Sequence, residues 1–145
     1  MDEVKVPLSF VEISRRLHAV SLPNVTHVVG ISRGGVVLST MIAHQLHLPL
    51  TIIALNYRDD SNAPRHDEPK LLEAVPVVPA GAHILLVDDV SVSGRTLNAA
   101  KSHFPDHQIT TLVAKGQGDH VLFPDVPQCV IWPWKTAEPL DFKVA

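Results

Sequence analysis

The sequence is poor in several residue types, and each scarcity excludes a class of protein. It has a single cysteine, Cys129, among 145 residues, so no internal disulfide can form and a reducing, cytoplasmic setting is expected. The formal charge is only -3 and no block of lysine and arginine occurs, which argues against nucleic acid or membrane as a partner. No apolar run approaches the roughly 18 residues of a membrane span, and the first five residues are polar and mixed, so we expect neither a span nor a leader.

The length and apolar content point to one folded unit. With 145 residues, of which 46% are hydrophobic, the chain can enclose a sizeable core but is too short for two ordinary domains. We therefore expect a single domain over residues 1–145. Nine histidines are scattered along the sequence, and the closest pair, His44 and His47, has no carboxylate or cysteine in ligand register. Metal binding by histidine is not expected.

The rest of the chain is organised around residues 84–98. Residues 84–87 are four consecutive apolar side chains, which suits a parallel strand covered on both faces. Asp88 and Asp89 follow, and a turn of small residues then leads into the helix-compatible residues 97–101. A ligand is expected at the carboxyl end of this strand.

The turn offers the groups that bind a phosphate monoester. Backbone N–H groups around Gly94, neighbouring hydroxyls and the positive end of the helix together form a cradle for the anion. Because two adjacent carboxylates are rarely buried unpaired, Asp88 and Asp89 are suited to hold sugar hydroxyls or a divalent cation beside it. The candidate residues of this stretch are Asp88, Asp89, Val90, Ser91, Val92, Ser93, Gly94, Arg95 and Thr96.

Residues 84–96 resemble the phosphoribosyl pyrophosphate signature of the type I phosphoribosyltransferases. That signature consists of four apolar residues, two acids, three variable residues and then Thr/Ser-Gly-x-Thr. The resemblance implies that residues 91–96 bind the 5′-phosphate. It also implies that Asp88 and Asp89 hold the ribose hydroxyls and, through Mg²⁺ at Asp89, the pyrophosphate.

A second loop lies one predicted crossover upstream. Residues 27–31 are predicted to be the first core strand, and the helical pattern of residues 36–45 follows Ser32, Arg33, Gly34 and Gly35. Two glycines let N–H groups approach an anion closely, and arginine supplies a fork of donors to phosphate. The loop resembles the pyrophosphate loop of the same family, especially its Ser-Arg-Gly-Gly form in bacterial xanthine-guanine enzymes. By that resemblance Arg33 stabilises the departing pyrophosphate.

The remaining elements complete an α/β pattern. Ser9 and Glu12 have the spacing of a capping box before a helix of about three turns. Further core strands are expected at residues 50–56 and 109–114, and a last strand at residues 129–132. We predict a single-domain α/β fold with a mainly parallel sheet of about five strands and helices on both faces. The polar residues 57–70 are expected to form an exposed loop, which in the resembling family closes over the reacting centre.

Two features bear on the base. Lys115 matches the position of the lysine that, in 6-oxopurine enzymes of this family, reaches the exocyclic oxygen, and an ammonium only donates hydrogen bonds. The Pro-Trp segment near residue 133 resembles the part of xanthine-guanine enzymes that sandwiches the base. The candidates for the stacking position there are Cys129, Val130 and Trp132, and the alternative for a tryptophan is a place in the core or in a subunit contact.

The chain also departs from the family pattern. Val92 stands where xanthine-guanine and hypoxanthine-guanine enzymes usually place an acid, and Arg95 stands where most members have glycine. The expected function is a purine phosphoribosyltransferase of purine salvage, acting on a 6-oxopurine, with Asp88, Asp89 and Arg33 as catalytic residues. The alternatives are a nucleotide-sensing regulator that has lost the chemistry, or a transferase for a pyrimidine or other base. The family's habit implies a homodimer or homotetramer.

Overall fold

A computed structural model describes residues 5–56, 70–71 and 74–135. The predicted loop at residues 57–70 lies, apart from residue 70, outside these described residues. The described elements in chain order are β1 (Val6–Pro7), α1 (Phe10–Ala19), β2 (His27–Ser32), α2 (Val36–Leu46), β3 (Leu50–Asn56), β4 (Lys70–Leu71), β5 (His83–Ser91), α3 (Arg95–Lys101), β6 (Gln108–Gly116), β7 (His120–Val121) and β8 (Val130–Ile131).

The main sheet is mostly parallel. Its strand order is β4-β3-β2-β5-β6-β7, and every neighbouring pair runs parallel except β3 with β4 at one edge. Five parallel strands with one short antiparallel edge strand confirm the predicted fold class. None of the helices in the described part of the chain is long and apolar enough to cross a membrane.

The first helix begins where the sequence predicts. Ser9 caps α1 by accepting a hydrogen bond from the backbone N–H of Glu12 at 3.1 Å, which satisfies one of the donors left unpaired at a helix start. The helix buries Ile13 and Leu17, four residues apart and therefore on one face. This pairing of cap and apolar spacing confirms the predicted opening helix.

Helices cover both faces of the main sheet. The residues that α1 and α2 bury pack with Leu85 and Val87 of β5, whereas those of α3 pack with Ile84 and Leu86. Successive side chains of a strand point to opposite faces, so all four positions are buried, as the apolar run predicts. The helices after β2 and β5 lie on opposite faces because their crossovers run in opposite directions along the sheet.

Two strands differ from the sequence-based expectation. β5 does not end before the carboxylates but continues to Ser91, because β6 pairs with it as far as Ser91 beside Gly116. The expected last strand is only Val130–Ile131, and it pairs with Val6–Pro7 in a separate two-stranded parallel sheet. The second difference places the end of the described chain beside its beginning.

Candidate active site

The candidate site lies where the strand order changes direction. β2 and β5 are parallel neighbours at the centre of the sheet, the chain passes from β2 outward to β3, and it passes from β5 outward to β6. The loops after β2 and β5 therefore diverge and leave a crevice at the carboxyl edge, which is the usual ligand position in such sheets. Both sequence-predicted loops stand at this crevice.

The glycine loop, residues 32–35, is in direct contact with the carboxyl end of β5. A Cβ atom built on Gly34 would stand 2.7 Å from Cγ and Oδ2 of Asp89, and one on Gly35 would stand 2.9 Å from the carbonyl oxygen of Ile31 and 3.0 Å from Cα of Asp88. Real Cβ atoms do not approach other atoms so closely, so only glycine fits at these positions without a shift. The structure brings the glycine loop and the carboxylate pair into one site.

The glycine loop is continuous with the start of α2. Gly35 is the residue before the helix; its N–H donates to Ile31 at 2.8 Å, and its carbonyl accepts from the N–H of Ser39 at 2.9 Å. The peptide bond between Ser32 and Arg33 is cis. Backbone bonds on both sides therefore fix the path of residues 32–35 beside β5.

The two carboxylates lie in different environments. Asp88 is 6% exposed, and its Oδ1 accepts a hydrogen bond from the backbone N–H of Asp89 at 2.8 Å. Asp89 is half-buried, and its Oδ1 accepts from the N–H of Val90 at 2.7 Å. Burial, and then the neighbouring charge of Asp89, raise the pKa of Asp88 well above its usual range, while Lys135 acts weakly in the opposite direction.

The pair is suited to a divalent cation that substrate oxygens complete. Mg²⁺ is usually held by one or two carboxylates together with substrate phosphates and water, rather than by a cage of protein ligands. The described residues contain no group of three or more histidine, cysteine or acidic side chains that could hold a metal alone. The donor set at Asp88 and Asp89 therefore fits the predicted Mg²⁺ in its substrate-bridging form.

The loop after β5 runs directly into α3. Ser91 is buried, Val92 is 77% exposed, and Gly94 adopts a φ of +80° immediately before the helix begins at Arg95. The N–H of Arg95 donates to the hydroxyl of Ser93 at 3.4 Å. A positive φ is open to glycine without the steric cost that a side chain brings, so Gly94 allows this tight turn. Thr96 lies in the first turn of the helix.

Lys115 stands at the same edge of the sheet. It is the register partner of Val90, one residue beyond Asp89, and its Nζ donates a hydrogen bond to the backbone carbonyl of Gln128. The next residue, Gly116, has a φ of +102°, and a Cβ atom there would lie 2.7 Å from the carbonyl carbon of Ser91. The close approach of β6 to β5 thus fixes the position of the Lys115 backbone at the end of the sheet that carries the two carboxylates.

Of the predicted base-stacking residues, Val130 lies on the short second sheet and Trp132 follows it. Val130 pairs with Val6 and is half-buried, whereas Trp132 is 6% exposed and packs in the core beneath α1 and α2. The ring of Trp132 stacks on that of Trp134, with centroids 5.1 Å apart and planes 7° from parallel. Most of the Trp132 surface therefore contacts protein.

Two participants are not found by the sequence patterns. Lys135 lies close enough to Asp88 to favour its ionised form, although it follows a hydrogen-bonded turn from Trp132 and belongs to no motif. The carbonyl group of Gln128, which accepts from Lys115, is a backbone atom that any residue carries. The only sequence pattern recognised near Gln128 is the Pro-Trp segment at residues 133–134, and it does not indicate this hydrogen bond.

Comparison with known proteins agrees with this arrangement. The family model described as the phosphoribosyl transferase domain matches residues 22–118. The xanthine-guanine phosphoribosyltransferase of Roseobacter denitrificans is 30% identical over 120 residues, which cover 76% of this chain and 68% of that protein. The chain also resembles the purine phosphoribosyltransferase of Pyrococcus horikoshii, with a TM-score of 0.75, 20% identity and coverage of 96% of this chain and 99% of that one.

A third similar protein is the xanthine-guanine-hypoxanthine phosphoribosyltransferase of Helicobacter pylori, with a TM-score of 0.69 and 20% identity over 90% of this chain and 94% of that one. The structural likenesses establish the shared fold. The matched residues 22–118 are more than half of the 145 residues and contain both loops of the crevice. This chain belongs to the phosphoribosyltransferase family.

Proposed function

We propose that this chain transfers ribose 5-phosphate from phosphoribosyl pyrophosphate to a 6-oxopurine base, releasing pyrophosphate. The proposal is carried by the contact between the glycine loop and the end of β5, where the backbone of Gly34 lies against the carboxylate of Asp89. That contact sets an anion-binding loop beside a pair of carboxylates. A sugar diphosphate with vicinal hydroxyls needs both within one small site.

The phosphates of the donor are divided between two loops. Residues 91–96 bind the 5′-phosphate through hydroxyls and the N–H groups around Gly94. Arg33 and the N–H groups of the loop formed by residues 32–35 bind the pyrophosphate and stabilise its negative charge as it leaves. Gly34 and Gly35 lie close to Asp89 and Asp88, so this loop stands directly beside the carboxylates.

The carboxylates hold the sugar. Asp88 and Asp89 accept hydrogen bonds from the ribose hydroxyls, and Asp89, the more exposed of the two, would hold Mg²⁺ together with pyrophosphate oxygens. The cation supplies charge neutralisation of the leaving group when it is bound. Asp88 and Asp89 act in the reaction by orienting the sugar and by opposing the positive charge that develops at its anomeric carbon.

The acceptor is a base with an exocyclic oxygen. The bond between C1′ and the pyrophosphate oxygen breaks with its electron pair, a ring nitrogen of the base bonds to C1′, and the proton of that nitrogen passes to solvent. The ammonium group of Lys115 donates a hydrogen bond to the exocyclic oxygen of the base. A 6-amino group could not accept this hydrogen bond. Val130 and Trp132 remain predicted contacts of the base, with the Trp132 ring held largely in the core.

The second candidate is a regulator that binds the donor or a nucleotide without turnover. The observation that favours it is Val92, which is apolar and 77% exposed at the position where related 6-oxopurine enzymes usually carry an acid. Adenine and orotate enzymes lack that acid as well, so its absence is compatible with transfer. A transferase for another base is the third possibility, and Lys115 argues against it.

The proposal extends to the assembly and location of the protein. We expect each subunit to be one domain over residues 1–145, and the subunits to form a homodimer or homotetramer in the cytoplasm. Neither nucleic acid nor membrane is expected as a partner. The support is the formal charge of -3 and the single cysteine. Equilibrium ultracentrifugation of the purified chain measures the subunit number.

Nucleotide formation from phosphoribosyl pyrophosphate and Mg²⁺ tests the function. Xanthine, guanine, hypoxanthine, adenine, orotate and uracil are supplied separately to the unmodified chain, to Asp89→Asn and to Asp106→Asn. Asp106 is exposed and lies before β6, at the opposite edge of the sheet, so it is a matched control. We expect turnover with 6-oxopurines that falls at least about 100-fold in Asp89→Asn alone.

The opposite results distinguish the rivals. If no base supports turnover while phosphoribosyl pyrophosphate still raises the melting temperature, the regulator is the correct account. Turnover with adenine or a pyrimidine, and none with 6-oxopurines, would retain the reaction but overturn the role of Lys115.

A further inference from the structure

The short second sheet joins the beginning of the chain to the segment beside Lys115. The N–H of Val6 donates to the carbonyl of Cys129 at 2.8 Å, and the N–H of Leu8 donates to the carbonyl of Ile131 at 3.2 Å. Pro7 lies between them and has no N–H group, but in an extended strand its nitrogen faces away from β8. The two donors of β1 therefore hold residues 129–131 from one side.

Lys115 bonds the residue that precedes this segment. Its Nζ donates to the carbonyl of Gln128, one residue before the carbonyl that Val6 holds. The Gln128 carbonyl shares a planar peptide unit with the nitrogen of Cys129. Once Val6 fixes the Cys129 carbonyl, only the two backbone dihedrals of Cys129 separate that carbonyl from the Gln128 oxygen. The position of the Gln128 oxygen consequently depends on β1.

An ammonium group has three N–H donors. One of those of Lys115 is directed by the Gln128 oxygen, and this leaves two for a substrate oxygen in a geometry that the first bond defines. We infer that β1 is a positioning element for base recognition, acting through the backbone carbonyl of Gln128, which orients the Lys115 ammonium. The inference rests on the proposed function, since it assumes that Lys115 contacts the base.

The position of this unit relative to the carboxylates restricts its effect to the base. β1 and β8 form a sheet separate from the main one, whereas Asp88, Asp89 and the glycine loop are held by β2, β5 and α2. A disturbance of β1 should therefore alter recognition of the base more than recognition of phosphoribosyl pyrophosphate, because only the weak effect of Lys135 on Asp88 connects the end of this segment to the carboxylates. This separation gives the experiment its specific signature.

Val6→Pro tests the inference because it removes the N–H that bonds Cys129. Lys5→Pro is the matched control, since it introduces the same ring one residue earlier, where the N–H of an extended strand points away from β8. With the best 6-oxopurine substrate we expect Val6→Pro to raise the KM for the base roughly 2- to 10-fold, the range that one hydrogen bond spans. In Val6→Pro the KM for phosphoribosyl pyrophosphate and kcat should stay within about 2-fold of the values of the unmodified chain. In Lys5→Pro both KM values and kcat should stay within the same range.

A double-mutant cycle with Lys115→Met separates positioning from general disturbance. If β1 acts through the ammonium, Val6→Pro raises the base KM in the unmodified chain but not in the Lys115→Met chain, because the oriented group is already gone. Effects that multiply in the double variant would overturn the inference. So would an equal rise in the KM values of both substrates.

A milder change keeps the test decisive if Val6→Pro does not fold. Pro7→Gly retains the N–H groups of Val6 and Leu8 but adds backbone freedom to β1, so a base KM more than about 2-fold above that of Lys5→Pro is expected, again absent with Lys115→Met. Absence of turnover by the unmodified chain with every base would overturn the proposed function and this inference with it. Normal turnover with independent effects of residues 6 and 115 would overturn this inference alone.

Discussion

The backbone of Gly34 packs directly against the side chain of Asp89, so closely that a methyl group on Gly34 would stand 2.7 Å from two atoms of the carboxylate. The two residues lie more than fifty positions apart in the chain: Gly34 belongs to the loop after β2, and Asp89 lies near the carboxyl end of β5. A substitution at Gly34 therefore changes the position of a proposed substrate ligand without altering its chemistry.

Gly34→Ala is expected to reduce kcat/KM for phosphoribosyl pyrophosphate at least about 10-fold, because the added methyl displaces the Asp89 carboxylate. Gly81→Ala is the control. Gly81 has a φ of +80° and no atom within 4 Å of its Cβ position, so alanine there costs about 1 kcal/mol of stability through backbone strain but leaves activity unchanged. Steady-state kinetics and urea unfolding measure both effects. Full activity in Gly34→Ala would show that the contact is not needed.

A second prediction concerns the pH dependence of stability at Asp88. Burial and the charge of Asp89 raise the pKa of Asp88 in the folded chain, so folding opposes its ionisation. The stability associated with this carboxyl is present below the unfolded pKa of about 3.9 and is lost as pH rises through the raised folded pKa. From about pH 4 upward, the unfolding free energy of the unmodified chain should therefore fall relative to that of Asp88→Asn. Urea unfolding without Mg²⁺ measures the trend.

Asp119 provides the comparison of opposite sign. Its carboxylate accepts from the backbone N–H of Thr111 at 2.9 Å, and this bond, the largest cause, lowers the pKa of Asp119. Its stabilising contribution is present above the unfolded pKa and is lost as pH falls through the lowered folded value. The advantage of the unmodified chain over Asp119→Asn should thus shrink below about pH 4. Parallel trends in the two variants would contradict the assignment of the shifts.

The centre of the fold follows from local signals in the sequence. The apolar run at residues 84–87 requires a strand buried on both faces, and Ser9 with Glu12 marks the first helix by a bond between near neighbours. Parallel strands end at a common edge, so the placement of Gly34 and Asp88 at one crevice follows once both strands are recognised. Local patterns of this kind predict most of the main sheet and both loops.

The second sheet could not be predicted in the same way. Val6 pairs with Val130, and two-residue strands are too short to carry a periodic pattern. The side-chain direction of Trp132 depends on that pairing, which explains why the sequence left open whether this ring contacts a base or the core. The bond from Lys115 to a backbone carbonyl also leaves no trace in residue types.

The placement of Trp132 gives a third prediction. Its ring is 6% exposed, packs in the core and stacks on Trp134. Trp132→Ala should lower the free energy of unfolding by about 3 kcal/mol, because it leaves a large cavity. Trp134→Ala, at a half-buried position, should cost less. The KM for the base in Trp132→Phe separately tests the predicted stacking, and equal stability losses in the two alanine variants would contradict the packing argument.

The last prediction concerns Arg16, which connects α1 to the segment after β7. Its guanidinium donates to both carboxylate oxygens of Asp125, at 2.7 and 3.0 Å, and to the carbonyl of Leu122 at 2.9 Å, and it lies 4.6 Å from the ring centroid of Phe123. An exposed ion pair alone contributes little, but this one group combines a bidentate pair, a backbone acceptor and an aromatic face. Removing it should therefore have a measurable effect on stability.

Arg16→Ala should lower the free energy of unfolding by about 1 kcal/mol in urea, whereas Arg15→Ala, whose side chain is 74% exposed, should change it by less than about 0.5 kcal/mol. Arg16→Lys should restore little of the loss, because an ammonium cannot bond both oxygens of Asp125 in a planar fork while still reaching Leu122. Since the interaction also lowers the pKa of Asp125, the effect of Arg16→Ala should diminish as pH falls and that carboxylate takes up a proton. Equal effects at Arg15 and Arg16, or full recovery with lysine, would mean that charge alone, and not the shape of the guanidinium, joins these two parts of the fold.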